Sequence, residues 1–136
     1  MNRKIRLSDN HTRSLSSSLI VVEKSLLELE ELMLSQKSGC CNKVMLDVDN
    51  DLIAGNIETV KEAKKHICLM AEKYGTTKET QSLQRIINAK RTKIWEILTD
   101  TLSAKAKGYG TFPKRYADEY DADIRKLIEI AGKINY

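Results

Sequence analysis

The feature that most constrains the fold is a spacing of apolar residues that alternates between three and four along much of the chain. The clearest series is Leu15, Leu19, Val22, Leu26, Leu29 and Met33. Residues at this spacing fall on one face of an α-helix, whereas a half-buried strand alternates every second residue. The series predicts a first helix from about residue 10 or 14 to residue 37. Asp9 or Ser14 would cap its start, and Ser38-Gly39 would stop it.

Three further segments show the same periodicity, and each has start or stop signals of its own. These signals are Asp49 or Asn50 and Gly75 for the second helix, Thr77 and Gly108 for the third, and Thr111-Phe112-Pro113 at the start of the fourth. Glycine accommodates the left-handed conformation in which many helices end. A hydroxyl followed by proline is typical of a helix start. The sequence therefore predicts four helices.

Short connections and composition together indicate the fold class. The connections near residues 74–77 and 108–112 favour antiparallel neighbours. One proline and six glycines are too few for a turn-rich β fold. We predict an all-α four-helix bundle with up-down antiparallel topology, forming a single domain over residues 1–136. Residues 1–9 are expected to be a flexible N-terminal arm. The main alternative is a pair of helices that completes its core by dimerising.

A second apolar seam runs beside the main stripe of the first helix. Ile20, Leu27 and Leu34 repeat every seven residues, and one neighbouring helix would not cover both the stripe and the seam. In a bundle the seam faces a second helix. The other interpretation is a homodimer surface, because large exposed apolar patches usually mark contacts.

Positive charge is concentrated in one segment of the chain. The net charge is +4, yet residues 76–115 contain nine Lys and Arg against three Asp and Glu. The candidate anion- or nucleic-acid-binding residues in this segment are Lys105, Lys107, Tyr109, Lys114 and Arg115. Free backbone N–H groups at a helix start attract anions, and aromatic rings stack on bases. The alternative is an ordinary corner with solvated lysines.

Two lysines interrupt apolar stripes. Lys64 falls within the stripe of the second helix and Lys90 within that of the third. Such a side chain reaches the edge of the stripe, pairs with a carboxylate or lies in a polar pocket. If both lysines point inward, they would line a polar pocket in the bundle.

Metal and cofactor sites are not predicted. The spacing of Asp47, Asp49, Asp51 and Glu58 matches a calcium loop, but Leu52 takes the place of its essential glycine. Cys40, Cys41 and Cys68 lack zinc spacing, and their odd number suits a reducing compartment. We therefore expect a cytoplasmic protein. No apolar segment approaches the ~20 residues that span a bilayer, so no membrane partner is expected.

The leading hypothesis is a small non-enzymatic module for protein–protein interaction or regulation, which self-associates through the Ile20, Leu27 and Leu34 seam. With two histidines and no evident nucleophile and base, the chain offers no catalytic set. The alternative is a nucleic-acid- or anion-binding bundle that uses the basic segment 76–115. A third class is an enzyme or small-ligand carrier with a polar interior around Lys64 and Lys90.

Overall fold

The structure is a computed structural model that describes residues 3–135, except for the side chain of Lys107. Its helices are α1 (Asp9–Leu34), α2 (Asn50–Tyr74), α3 (Leu83–Thr101), a 3₁₀ helix (Ser103–Tyr109) and α4 (Lys114–Ala131). Residues 3–135 contain no β-strand. The prediction of an all-α fold with four α-helices is confirmed.

The chain divides into two compact units, of which the first ends at Glu79 and the second begins at Thr80. In the first unit α1 packs against α2, and in the second unit α3 packs against α4. We call these units the first hairpin (residues 3–79) and the second hairpin (residues 80–135). That both hairpins form a single domain stays a prediction.

Hydrogen bonds between the helices define the direction of each pair. In the first hairpin the Ile5 amide, just before α1, donates to the Lys73 carbonyl at the end of α2 (2.8 Å). This bond ties the described part of the predicted N-terminal arm to α2. In the second hairpin Arg91 donates to the Gly132 carbonyl, and the Tyr120 hydroxyl donates to the Thr101 carbonyl. Early residues of one helix thus meet late residues of the next, so the two helices of each hairpin are antiparallel.

Local signals locate α2 correctly. The Asp49 carboxylate accepts a hydrogen bond from the Asp51 amide (3.0 Å), which makes Asp49 the N-cap. At the other end Gly75 adopts the left-handed conformation (φ 64°), and its amide bonds back to the Ala71 and Glu72 carbonyls. Both ends match the sequence prediction because each signal acts within one turn of the helix.

The other helix ends differ from the prediction. Helix α1 is capped by Ser8, whose hydroxyl accepts from the His11 amide, and it ends at Leu34, before the predicted glycine stop. Helix α3 begins after Ser82, not Thr77, because the Ser82 hydroxyl accepts from the Arg85 amide. Helix α4 begins after Pro113 without a side-chain cap, so the predicted threonine cap is wrong.

Few apolar side chains are buried within these hairpins. Among the described residues the buried apolar ones are Val60 and Ile67, which are 4% and 9% exposed. Both lie on α2 and face α1. The second hairpin has no buried residue in its described part. α3 packs against α4, and several large apolar side chains of both helices are exposed.

Candidate interaction surfaces

The predicted seam of α1 lies at one edge of the first hairpin. Ile20 is half-buried, whereas Leu27 and Leu34 are 46% and 66% exposed. The seam follows one flank of α1, while Leu19 and Leu26 on the central stripe are half-buried. α2 thus covers part of the central stripe, whereas Val22 and Leu29 of that stripe and Leu27 and Leu34 of the seam are exposed.

A larger open apolar surface lies on the second hairpin. Its members, which are between 37% and 70% exposed, are Leu83, Ile94, Ile97, Leu127, Ile130 and Ile134. We call this surface the α3–α4 face. Helical spacing places the six residues on one side of the hairpin, whereas Arg91, Trp95 and Ile128 line a concavity of about 240 Å³ on the other side.

Sequence reasoning missed this face because it assigned the apolar residues of α3 and α4 to a bundle core. The available signal was the width of the α3 stripe. Ile94 and Ile97 are three residues apart, which is less than one helical turn. They therefore widen the apolar surface around the circumference of the helix. One antiparallel neighbour covers only part of such an arc, so an exposed remainder is expected.

Polar contacts fix the corner where α3 meets the 3₁₀ helix. The Asp121 carboxylate accepts from the Ser103 amide (2.8 Å) and from the Ser103 hydroxyl (2.6 Å), so it caps the 3₁₀ helix. The Ser103 hydroxyl first, and then its amide, lower the pKa of Asp121 below its ordinary value. The Tyr120 hydroxyl donates to the Thr101 carbonyl (2.6 Å), and the Tyr120 ring packs on Phe112 at 4.6 Å between centroids.

This corner carries the basic residues predicted to bind anions. Lys105, Lys114 and Arg115 are exposed, and Tyr109 is 99% exposed. The Lys107 side chain lies outside the described part of the structure. The Arg115 guanidinium stacks on Tyr116 at 4.9 Å from the ring centroid.

A concavity of about 550 Å³ lies at the same corner. Its lining includes Gly110, Thr111, Phe112 and Lys114, at the start of α4. The N-cap residue of α4, Pro113, makes no side-chain hydrogen bond to the first amides of the helix, which form the positive end of its dipole. Lys114 and Arg115 are the first two residues of α4, and Lys105 lies in the 3₁₀ helix that precedes it.

The two lysines predicted to line a pocket have different environments. The Lys64 ammonium bonds to the Glu30 carboxylate at 3.2 and 3.4 Å, with side chains that are 28% and 20% exposed. Lys64 thus has an ion-pair partner on α1. Lys90 is exposed on the second hairpin.

The described residues hold no group of three or more His, Cys, Asp or Glu side chains arranged to bind a metal. Cys40, Cys41 and Cys68 are free and exposed. Cys68 is not a core residue, because it lies on the flank of α2 beside the buried Ile67. Within residues 3–135, no helix combines the length and the apolar character needed to cross a bilayer.

The fold and surfaces describe an all-α protein of paired helices with open apolar faces. No protein-family model, curated protein or solved structure matches the chain.

Proposed function

We propose that this chain is a non-enzymatic interaction module whose helix faces bind a second copy of itself. The observation that carries this proposal is the imbalance between buried and exposed apolar residues. Val60 and Ile67 are the buried apolar residues of the described chain, while large side chains such as Leu34, Leu83 and Ile97 are more than half exposed.

Physical chemistry supports an additional partner surface. Fixing the backbone costs about 1–2 kcal/mol per residue, and apolar burial is the main term that offsets it. Chains of about 60 residues are marginal even when they bury about 60% of their unfolded surface. The second hairpin has no buried residue in its described part, so its own core is small for a unit of this length. Association would cover the exposed faces and supply the missing stabilisation.

Sedimentation equilibrium of the full chain tests the proposal. At loading concentrations from about 1 to 200 µM, we expect the weight-average mass to rise from one chain toward two, as expected for a dimer in the micromolar range. Thiols should be kept reduced, because the exposed cysteines would otherwise link chains covalently. A mass of one chain at every concentration would contradict the proposal.

A second candidate function is the binding of single-stranded nucleic acid at the start of α4. The observation that favours it is the presence of Lys105, Lys114 and Arg115 at one corner, beside the fully exposed Tyr109. Cations neutralise phosphates and an exposed ring stacks on bases, without any sequence preference.

Fluorescence anisotropy with a labelled 20-nucleotide single strand tests this candidate. Four phosphate contacts predict that affinity falls about 50-fold between 50 and 200 mM salt. Joint replacement of Lys105, Lys107, Lys114 and Arg115 by Gln should abolish binding. A matched control replaces the exposed Lys24, Lys43, Lys61 and Lys65 of the first hairpin, which removes the same charge. Equal loss in both variants, or binding that ignores salt, would contradict a site at this corner.

A further inference from the structure

We propose that the α3–α4 face binds the same face of a second copy in a two-fold dimer, in which each helix lies antiparallel to its own counterpart. This inference rests on the proposed self-association and assigns it a surface and a register. The two-fold axis crosses the face near Ile97, so α3 contacts α3 of the second copy and α4 contacts its α4. Such an interface is self-complementary, because both copies contribute the same patch.

The exposed area of this face suits a dimer. A fully exposed side chain of this size presents roughly 200 Å², so the six members together expose roughly 600 Å² of apolar surface. Each partner contributes about 800 Å² to a standard interface, and that total includes a polar rim. An apolar patch of roughly 600 Å² lies at the upper end of what a typical monomeric protein exposes, and patches of that size are often functional.

The seam on the first hairpin offers less surface. Only Leu27 and Leu34 of the seam are exposed, and Ile20 is half-buried. The first hairpin also has the buried Val60 and Ile67, whereas the second hairpin has no buried residue in its described part. Covering the α3–α4 face therefore adds more to stability than covering the seam.

Charges along the edges of the face determine how two copies can pair. Lys93 and Asp100 are seven residues apart on the outer flank of α3, next to Ile97. Asp123 and Lys126 lie three residues apart on the corresponding flank of α4. All four are exposed, and none forms an ion pair within residues 3–135. On α3 one basic and one acidic position thus lie beside Ile97, and the exposed Lys90 lies within the stripe itself, between Leu83 and Ile97.

The antiparallel arrangement satisfies the charges on α3. With the two-fold axis near Ile97, Lys93 of one copy faces Asp100 of the other, and the symmetry repeats the pair. The contacts of Arg91 with Gly132 and of Thr101 with Tyr120 show that the same axis crosses α4 near residues 125–126. Lys126 then lies next to the axis, close to Lys126 of the second copy. The two symmetry-related pairs of Lys93 with Asp100 are therefore the opposite-charge pairs that border the apolar contact.

In the competing two-fold arrangement, both hairpins point in the same direction. α3 of one copy then lies beside α4 of the second copy. The same hydrogen bonds put Asp100 at the height of Asp123, and Lys93 within about one turn of Lys126. Like charges would then face each other along both edges. Such juxtaposition disfavours the wrong pairing, so the charge pattern selects the antiparallel register.

A first experiment compares two matched variants by sedimentation equilibrium. Ile97→Glu places a charge within the α3–α4 face, and we expect its dimer to dissociate at least 100-fold more readily than the wild-type dimer. Leu27→Glu places the same charge on the seam and should leave the dimer unchanged. Circular dichroism of each variant reports its helix content. Loss of the dimer in Leu27→Glu but not in Ile97→Glu would overturn the assigned surface while leaving self-association intact.

A second experiment tests the register without placing a charge in the apolar contact. Lys93→Glu alone and Asp100→Lys alone each put like charges opposite each other, and each dimer should weaken about tenfold. An equimolar mixture of the two variants restores opposite charges at every α3 position, so its affinity should return to within about twofold of wild type. A mixture no tighter than either variant, or variants as tight as wild type, would overturn the antiparallel register. A monomeric wild type would instead reject the proposed function itself.

Discussion

At the scale of single residues, the contact between Ser103 and Asp121 links stability to pH. The Ser103 hydroxyl and amide lower the pKa of Asp121, because they bond to its charged form. The unfolded chain has the ordinary value of about 3.9. The stabilisation is therefore fully present above that value and is lost as pH falls through the lower folded value.

We expect Asp121→Asn to lower the free energy of unfolding at pH 7 and to make it less dependent on pH below about 4. Urea titrations at pH 7, 4 and 3, at one protein concentration, measure both effects. Asp118→Asn, an exposed site on the same helix, is the control. Identical pH profiles for wild type and Asp121→Asn would show that the Ser103 contact does not form.

The half-buried pair of Lys64 and Glu30 supports a second prediction at this scale. Lys64→Met leaves the Glu30 carboxylate without its partner, and we expect a loss of about 1–2 kcal/mol, between the values for exposed and buried pairs. The double variant Lys64→Met/Glu30→Met removes both charges and should recover most of that loss. A double-mutant cycle from urea unfolding measures the coupling. Strictly additive losses would contradict an interaction between the two side chains.

At the scale of elements, Gly75 and Gly39 should respond differently to the same substitution. Gly75 ends α2 with a φ of 64°, which an alanine adopts only at a cost of about 1–2 kcal/mol. Gly39 has no positive φ, and no atom lies within 4 Å of the position of an added Cβ. Gly39→Ala should therefore be neutral or slightly stabilising. Thermal unfolding of both variants checks this difference, and an equal loss at both sites would contradict the assigned end of α2.

The cap of α1 provides a further test at this scale. Ser8→Ala removes the hydroxyl that accepts from the His11 amide and should cost about 1 kcal/mol. Ser14→Ala alters an exposed position inside the helix and should have little effect, since alanine is the better helix former. Urea unfolding compares the two. A larger loss in Ser14→Ala would favour the cap predicted from sequence over the one in the structure.

At the scale of the whole molecule, association should make stability depend on concentration. For a dimer that folds and associates together, a 100-fold increase in protein concentration contributes up to about 2.7 kcal/mol per dimer. The corresponding rise in the thermal midpoint is roughly 5 °C for a chain of this size. Calorimetry at 2 and 200 µM measures this rise. Ile97→Glu should show no such shift, and a shift of the same size in that variant would place the interface elsewhere.

The sequence by itself determined the all-α class, the number of α-helices and both ends of α2. These features follow from local physics: apolar spacing selects the helical period, and Asp49 and Gly75 act within one turn of the ends they define. The predicted N-caps of α1 and α3 were wrong, although capping is also a local interaction. Several nearby hydroxyl groups could cap each of these helices.

Only the tertiary structure decided which side chains meet and which faces stay open. Glu30 lies 34 residues from Lys64, and Ser103 lies 18 residues from Asp121. The spacing of residues along the sequence does not predict contacts over such separations. The α3–α4 face likewise depends on how much of the wide apolar surface of α3 is covered by α4. Local chemistry therefore determines where helices form, whereas the surfaces available to a partner depend on how those helices pack.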